Sequence, residues 1–189
     1  MVASRNSVVE LSHYSIEYCP LFLVSSENDV KRYMSESEWV LFSDGSAADF
    51  DGASAVVTFP GGGHFGPAKA KGWPSDSWCD SFVAEREGLF YAVQETLQLA
   101  GNGEVVILTD SLSNLMTLAM PFARTRLAAE IKRMAVDFCS KSLTGSLVFH
   151  FIRGHSGNWG NDMADEVARA TLAGGDEFSK VVPQRTKKG

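Results

Sequence analysis

The sequence predicts an α/β domain in which a five-stranded mixed sheet, three strands antiparallel and two parallel, is flanked by helices. Three observations predict it. Two short apolar runs, Trp39–Phe42 and Val105–Leu108, each lead into an aspartate. Gly-rich turns separate the early strands, which implies an antiparallel meander. From Ser81 onward the apolar spacing becomes helical, and helices then alternate with strands.

The elements run in this order. Residues 1–37 are mixed, with one apolar patch from Tyr18 to Val24 interrupted by Pro20, and read as an extension or a linker from an upstream domain, docked by that patch. Trp39–Phe42 reads as a buried strand that stops at a Ser43–Ser46 turn. Ala53–Phe59 is the second strand, left by the turn Pro60-Gly61-Gly62-Gly63, and a third is expected around His64 to Trp73. Between Ser81 and Leu99, Phe82, Leu89, Val93 and Leu97 fall on one helical stripe, ended by Gly101-Asn102-Gly103. The strand Val105–Leu108 comes next. Ser111 can cap a short helix to about Ala119, stopped by Pro121, and a longer helix covers roughly Thr125 to Ser140. Leu147–Ile152 is a last, fully apolar strand, which suggests burial on both faces. A loop with Gly154, Gly157 and Gly160 then leads to a closing helix, about Asn161 to Leu172. The organisation expected is an extension over 1–37, one folded domain over 38–174, and a basic, disordered tail over 175–189.

Bulk properties bound the function. The chain has 189 residues, 44% of them apolar and 21% charged, as in a globular domain. The net charge of −6 argues against a generic nucleic-acid coat but not against a nuclease, whose catalytic acids add negative charge. Basic residues are local: five against two acids between Pro121 and Lys141. No apolar run approaches the ~20 residues needed to span a bilayer, and no signal-peptide pattern opens the chain. Cys19, Cys79 and Cys139 lack zinc-like spacing and read as free thiols of a reducing compartment, so an intracellular, cytoplasmic or nuclear location is expected.

The chemistry lies in acidic side chains. If the two aspartate-ended strands are neighbours, Asp44 and Asp110 sit side by side where ligands collect, at the carboxyl ends of strands. Two such carboxylates repel each other unless a hard divalent cation shares them. The plainer reading is that each aspartate opens a turn or caps the next element. Glu85 borders the apolar stripe of its helix, whereas Glu87, ~200° away, faces solvent. Placement in a helix's first turn would also favour an acid at 85. On the closing helix Asp162, Asp165, Glu166 and Arg169 share a polar sector, so either a working acid or an Asp165–Arg169 surface pair fits.

Four segments in order, within about 38–173, carry a resemblance: Val40-Leu41-Phe42-Ser43-Asp44-Gly45-Ser46; Ser81-Phe82-Val83-Ala84-Glu85; Val106-Ile107-Leu108-Thr109-Asp110-Ser111; and Gly154-His155-Ser156-Gly157 with Gly160-Asn161-Asp162-Met163-Ala164-Asp165-Glu166. Together they resemble the type 1 ribonuclease H family, most closely the ribonuclease H domains of non-LTR retrotransposon polyproteins. The resemblance implies the ribonuclease H-like fold and an endonuclease that hydrolyses the RNA strand of RNA–DNA hybrids, leaving 5′-phosphate and 3′-hydroxyl ends. It assigns Asp44, Glu85, Asp110 and Asp165 as metal-binding catalytic carboxylates, holding two Mg2+ ions, replaceable by Mn2+, roughly 3.5–4 Å apart. His155 would assist proton transfer or product departure. Ser46, Ser81, Asn161 and Arg86 are expected at the substrate, Asn161 alternatively as a helix cap, with Lys69, Lys71, Arg124 and Arg126 as candidate phosphate contacts.

Three features depart from the family: a long Gly61–Cys79 segment, no basic protrusion between the middle helices, and Gly88 inside a helix, at a cost of ~1 kcal/mol relative to Ala. They lead us to expect that an upstream reverse transcriptase domain of the same polyprotein supplies affinity. The alternatives are a non-catalytic nucleic-acid-binding or scaffold module of this fold, and a related DNA nuclease.

Overall fold

The computed structural model describes residues 7–8, 15–19, 27–62, 67–75, 78–101, 103–141, 145–154 and 157–182. In chain order the elements are β1 (Ser7–Val8), β2 (Ser15–Cys19), α1 (Glu27–Glu36), β3 (Trp39–Ala48), β4 (Asp51–Pro60), β5 (Ala68–Pro74), α2 (Ser81–Thr96), β6 (Glu104–Thr109), α3 (Leu112–Ala119), α4 (Arg126–Ser140), β7 (Ser146–Phe151), α5 (Trp159–Gly174) and β8 (Phe178–Val182). They form a single sheet of order β1-β2-β7-β6-β3-β4-β5-β8.

The expected five strands form its centre. The meander β3-β4-β5 is antiparallel, and β3, β6 and β7 run parallel side by side. The apolar runs are continuous because these strands are covered on both faces. Alternate side chains go to opposite sides. Leu41, Ile107 and Phe149 pack with Leu89 and Val93 of α2 and Ile131 and Ala135 of α4. Val40, Phe42, Val106 and Leu108 pack with Ala164 and Ala168 of α5.

Three strands were not expected. The extension contributes β2, parallel to β7, with β1 antiparallel to it, so it joins the domain by main-chain pairing, while residues 20–24 of its apolar patch lie outside the described residues. Beyond it lies α1. The tail, expected to be disordered from 175, instead pairs Phe178–Val182 with β5. Its Phe-Ser-Lys-Val-Val sequence has enough β-forming residues to extend an open edge despite its charge. Residues 183–189, and 63–66 at the start of the expected third strand, lie outside the described residues. No described helix is long and apolar enough to cross a membrane.

A second difference concerns β3. The expected turn at Ser43–Ser46 is strand: Asp44, Gly45 and Ser46 pair with Ala55, Ser54 and Ala53. The chain reverses only at Asp49-Phe50, both with positive φ (53° and 72°), as a two-residue hairpin loop requires. Asp44 therefore projects from the middle of a paired strand, so it does not open a turn.

Gly88 has its explanation here. A Cβ on it would lie 2.7 Å from the carbonyl oxygen of Asp44, and one on Gly45 would lie 2.2 Å from the carbonyl carbon of Ala84. Both glycines let α2 lie directly on β3. We expect Gly88→Ala to destabilise the protein by ~1–3 kcal/mol through overpacking, although alanine favours helix. The shift in urea midpoint measures it, and a gain in stability would show that the contact is dispensable.

Candidate active site

The site forms where β3 and β6 end their shared register. Ser43 lies opposite Thr109 across the parallel pair, so Asp44 and Asp110 leave adjacent chains side by side. Because α2 rests on Gly45, Glu85 is held over the same edge. Helix α5 brings Asp165 from the opposite face of the sheet.

Each carboxylate has its own donor. Asp44 Oδ1 accepts from the Gly45 N–H at 2.7 Å, and Glu85 Oε2 accepts from the Ser111 hydroxyl at 2.5 Å. Asp110 Oδ2 accepts from Asn161 Nδ2 at 3.4 Å. Asp165 Oδ2 lies 2.8 Å from an Arg169 guanidinium nitrogen, so the surface pair read from the sequence forms, with Asp165 close enough to act on Asp44 all the same.

Their mutual field is felt most at Asp44, which is 8% exposed. Burial first, then the negative charges of Asp110, Asp165 and Glu85, push its pKa up to about 8, against the lowering effect of the Gly45 N–H. Burial and Asp110 also raise Glu85, opposed by the hydrogen bonds from Ser111 and Asn114. The four acids thus share one field. Among the described residues, however, no three His, Cys, Asp or Glu side chains stand close enough to hold one ion as placed. The donor set itself, all hard carboxylate oxygens with excess negative charge, suits a divalent cation such as magnesium.

Several side chains have roles other than those expected. Ser111 starts α3 but makes no capping bond; its hydroxyl serves Glu85. Asn114, missed in the sequence, is 1% exposed, donates to Ser111 Oγ at 2.8 Å and accepts from Arg86 Nε at 3.0 Å. An amide among the buried leucines of α3 was the available signal for it. Arg86, expected at the substrate, is buried over the Phe82 ring and also donates to Thr125. The burial of Arg86 is compensated by these bonds. Asn161 is not the cap of α5, since Asn158 takes that place; it is buried against Asp110, and its Oδ1 has no partner among the described residues. Glu87 is half-buried and accepts from Ser75 at 2.5 Å, so it is not a free surface charge.

Ser46, two residues beyond Asp44, shares its side of β3, and Ser81 is exposed one turn before Glu85. Lys71 is tied to Glu95 at 2.8 Å, whereas Lys69, Arg124 and Arg126 are exposed. His155 lies outside the described residues.

The metal-free protein is expected to depend on pH. Asp44 holds its proton to about pH 8 when folded but releases it near 3.8 when unfolded. The folded state binds more protons in that window, so stability falls as pH rises through it. With chelator present, Asp44→Asn is expected to stabilise the protein by on the order of a few kcal/mol at pH 8, and by less at pH 5. Thermal melts at the two pH values check this; equal gains at both would show that charge repulsion is not the cause.

Comparison with known proteins agrees with this geometry. A family model described as RNase H matches residues 36–173, most of the chain. The fold is similar to that of the crystal structure of LC9-RNase H1, described as a type 1 RNase H with the type 2 active-site motif. The TM-score is 0.56 and the identity 15%, and the match covers 79% of each chain. No curated protein matches the sequence. With acidic side chains meeting on a sheet of this topology and the family's model spanning the domain, the chain belongs to the ribonuclease H family.

Proposed function

We propose that the chain cuts the RNA strand of RNA–DNA hybrids at Asp44, Glu85, Asp110 and Asp165, using two divalent ions, and that it serves reverse transcription of a retroelement. The observation that carries the reading is the geometry that sets buried Asp44 beside Asp110 at the ends of neighbouring parallel strands, with Glu85 held over the same edge by α2. Such a group has little structural use, and charge that a site must concentrate is often catalytic. Magnesium ions held by these four side chains would supply an activated water and stabilise the leaving 3′-oxygen.

The chain's own residues do the rest. Ser111, fixed by Asn114, orients Glu85, and Asn161 holds Asp110. His155 assists proton transfer or product departure from the loop after β7. Gly154, which precedes it in the chain, lies close to Asp110, since a Cβ there would be 2.3 Å from Asp110 Oδ2. Ser46 and Ser81 offer hydroxyls to RNA 2′-hydroxyl groups, the feature that tells RNA from DNA. Exposed Arg124 and Arg126 take phosphates. Affinity beyond these few cations comes from an upstream reverse transcriptase domain of the same polyprotein. The buried thiols of Cys79 and Cys139 suit a reducing, intracellular compartment.

Matched labelled duplexes test this reading. RNA in the hybrid is expected to be cut with magnesium or manganese and spared with chelator. Asp110→Asn should abolish cleavage while circular dichroism stays that of the native fold. Retained cleavage in that variant would remove Asp110 from the site, and cleavage of double-stranded DNA alone would make the protein a DNA nuclease.

A further inference from the structure

The tip of the β3-β4 hairpin carries an aromatic pair with no part in the chemistry above. Phe50 is 65% exposed and Trp78 81% exposed, and their ring centroids are 4.7 Å apart. Large apolar side chains grouped in solvent mark contact sites more often than isolated ones do. Phe50 also holds a left-handed backbone, φ 72°, that bulky residues rarely adopt. The segment carrying Trp78 is fastened to the tip by Ser75 N–H to Gly52 and Cys79 N–H to Phe50, each 2.8 Å. The pair is thus a fixed platform.

Its place relative to the carboxylates is set by the packing of α2. Gly45 of β3 meets Ala84 and Glu85, while Asp44 meets Gly88. Moving up β3 therefore means moving down α2, and both lead from a carboxylate to the aromatic pair. From Asp44 the strand continues four residues to Ala48, ~13 Å at ~3.3 Å per residue, before the turn. One nucleic-acid strand covers that distance, extended by the turn from Ala48 to Phe50, in roughly four to six nucleotides, at ~3.4 Å each.

The surrounding charge narrows what the platform can take. Asp49, Asp51 and Asp80 lie beside it and disfavour phosphates. A ring can stack only on a base with a free face, which a continuous duplex does not offer. Resting on the reading of the carboxylates as the cleavage site, we propose that Phe50 and Trp78 stack on an unpaired or terminal nucleotide four to six positions from the scissile phosphate. The protein thereby selects hybrids that end or open there.

The test compares KM for a continuous hybrid with KM for the same hybrid opened into a single strand four to six nucleotides from the cut, on either side. In the unaltered protein the continuous substrate should have the higher KM by roughly five- to thirtyfold, the low end of the range for one or two base–aromatic stacks. In the Phe50→Ala/Trp78→Ala variant the ratio should fall to about one. Loss of folded protein cancels in a ratio taken on one preparation. A ratio near one in the unaltered protein, or one retained in the variant, overturns the inference. A second arm is independent of cleavage: tryptophan emission of Asp110→Asn is followed on titration with each hybrid. Stronger quenching by the opened hybrid, absent in a further Trp78→Phe change, supports the platform even if no hybrid is cut, an outcome that would instead sink the functional reading. Equal quenching by both hybrids overturns the platform alone.

Discussion

A carboxylate that is 8% exposed with three others around it is costly to hold, and the elements near Asp44 are arranged by that cost. Four separate donors, the Gly45 amide, Ser111, Asn161 and Arg169, each take one acid. Three of these lie on elements other than β3, so the site is held by the packing of α3 and α5 against the sheet. None neutralises the whole cluster, and so the residual negative charge stays available to a cation.

Close approach is the second constraint. Glu85 reaches the edge only because α2 lies on the backbone of β3, which leaves no room for a Cβ at Gly45 or Gly88. The helix propensity given up at Gly88 is the cost of that contact. The same crossing directs the N-terminus of α2 toward the hairpin tip, where the Trp78 segment is bonded to the Phe50 turn. One packing choice thus places both Glu85 and the aromatic pair.

Polar burial around Glu85 obeys the same logic. Ser111, Asn114, Arg86 and Thr125 form a chain of hydrogen bonds from the site to the start of α4. Removing one member would leave the others buried and unpaired, which costs more than the bond alone. Such a chain gives Glu85 a defined position in an otherwise apolar layer.

Composition and periodicity by themselves determined the α/β class, the five central strands and the helices that cover them, because burial on one or two faces leaves a repeat of 3.6 or 2 in the chain. The resemblance of four short motifs singled out the acids at 44, 85, 110 and 165, where periodicity alone left Asp165 undistinguished from the other polar residues of its helix face. Contacts between residues distant in sequence were decided only by tertiary structure. Asn114 turns inward because Arg86 and Ser111 wait there, 28 and 3 residues away. Asp44 stays in a strand because β4 pairs with it, and Phe178–Val182 becomes a strand because β5 offers an edge. Local sequence can permit a strand, as the β-forming residues of Phe178–Val182 do, but it does not name the partner, which is chosen by the fold.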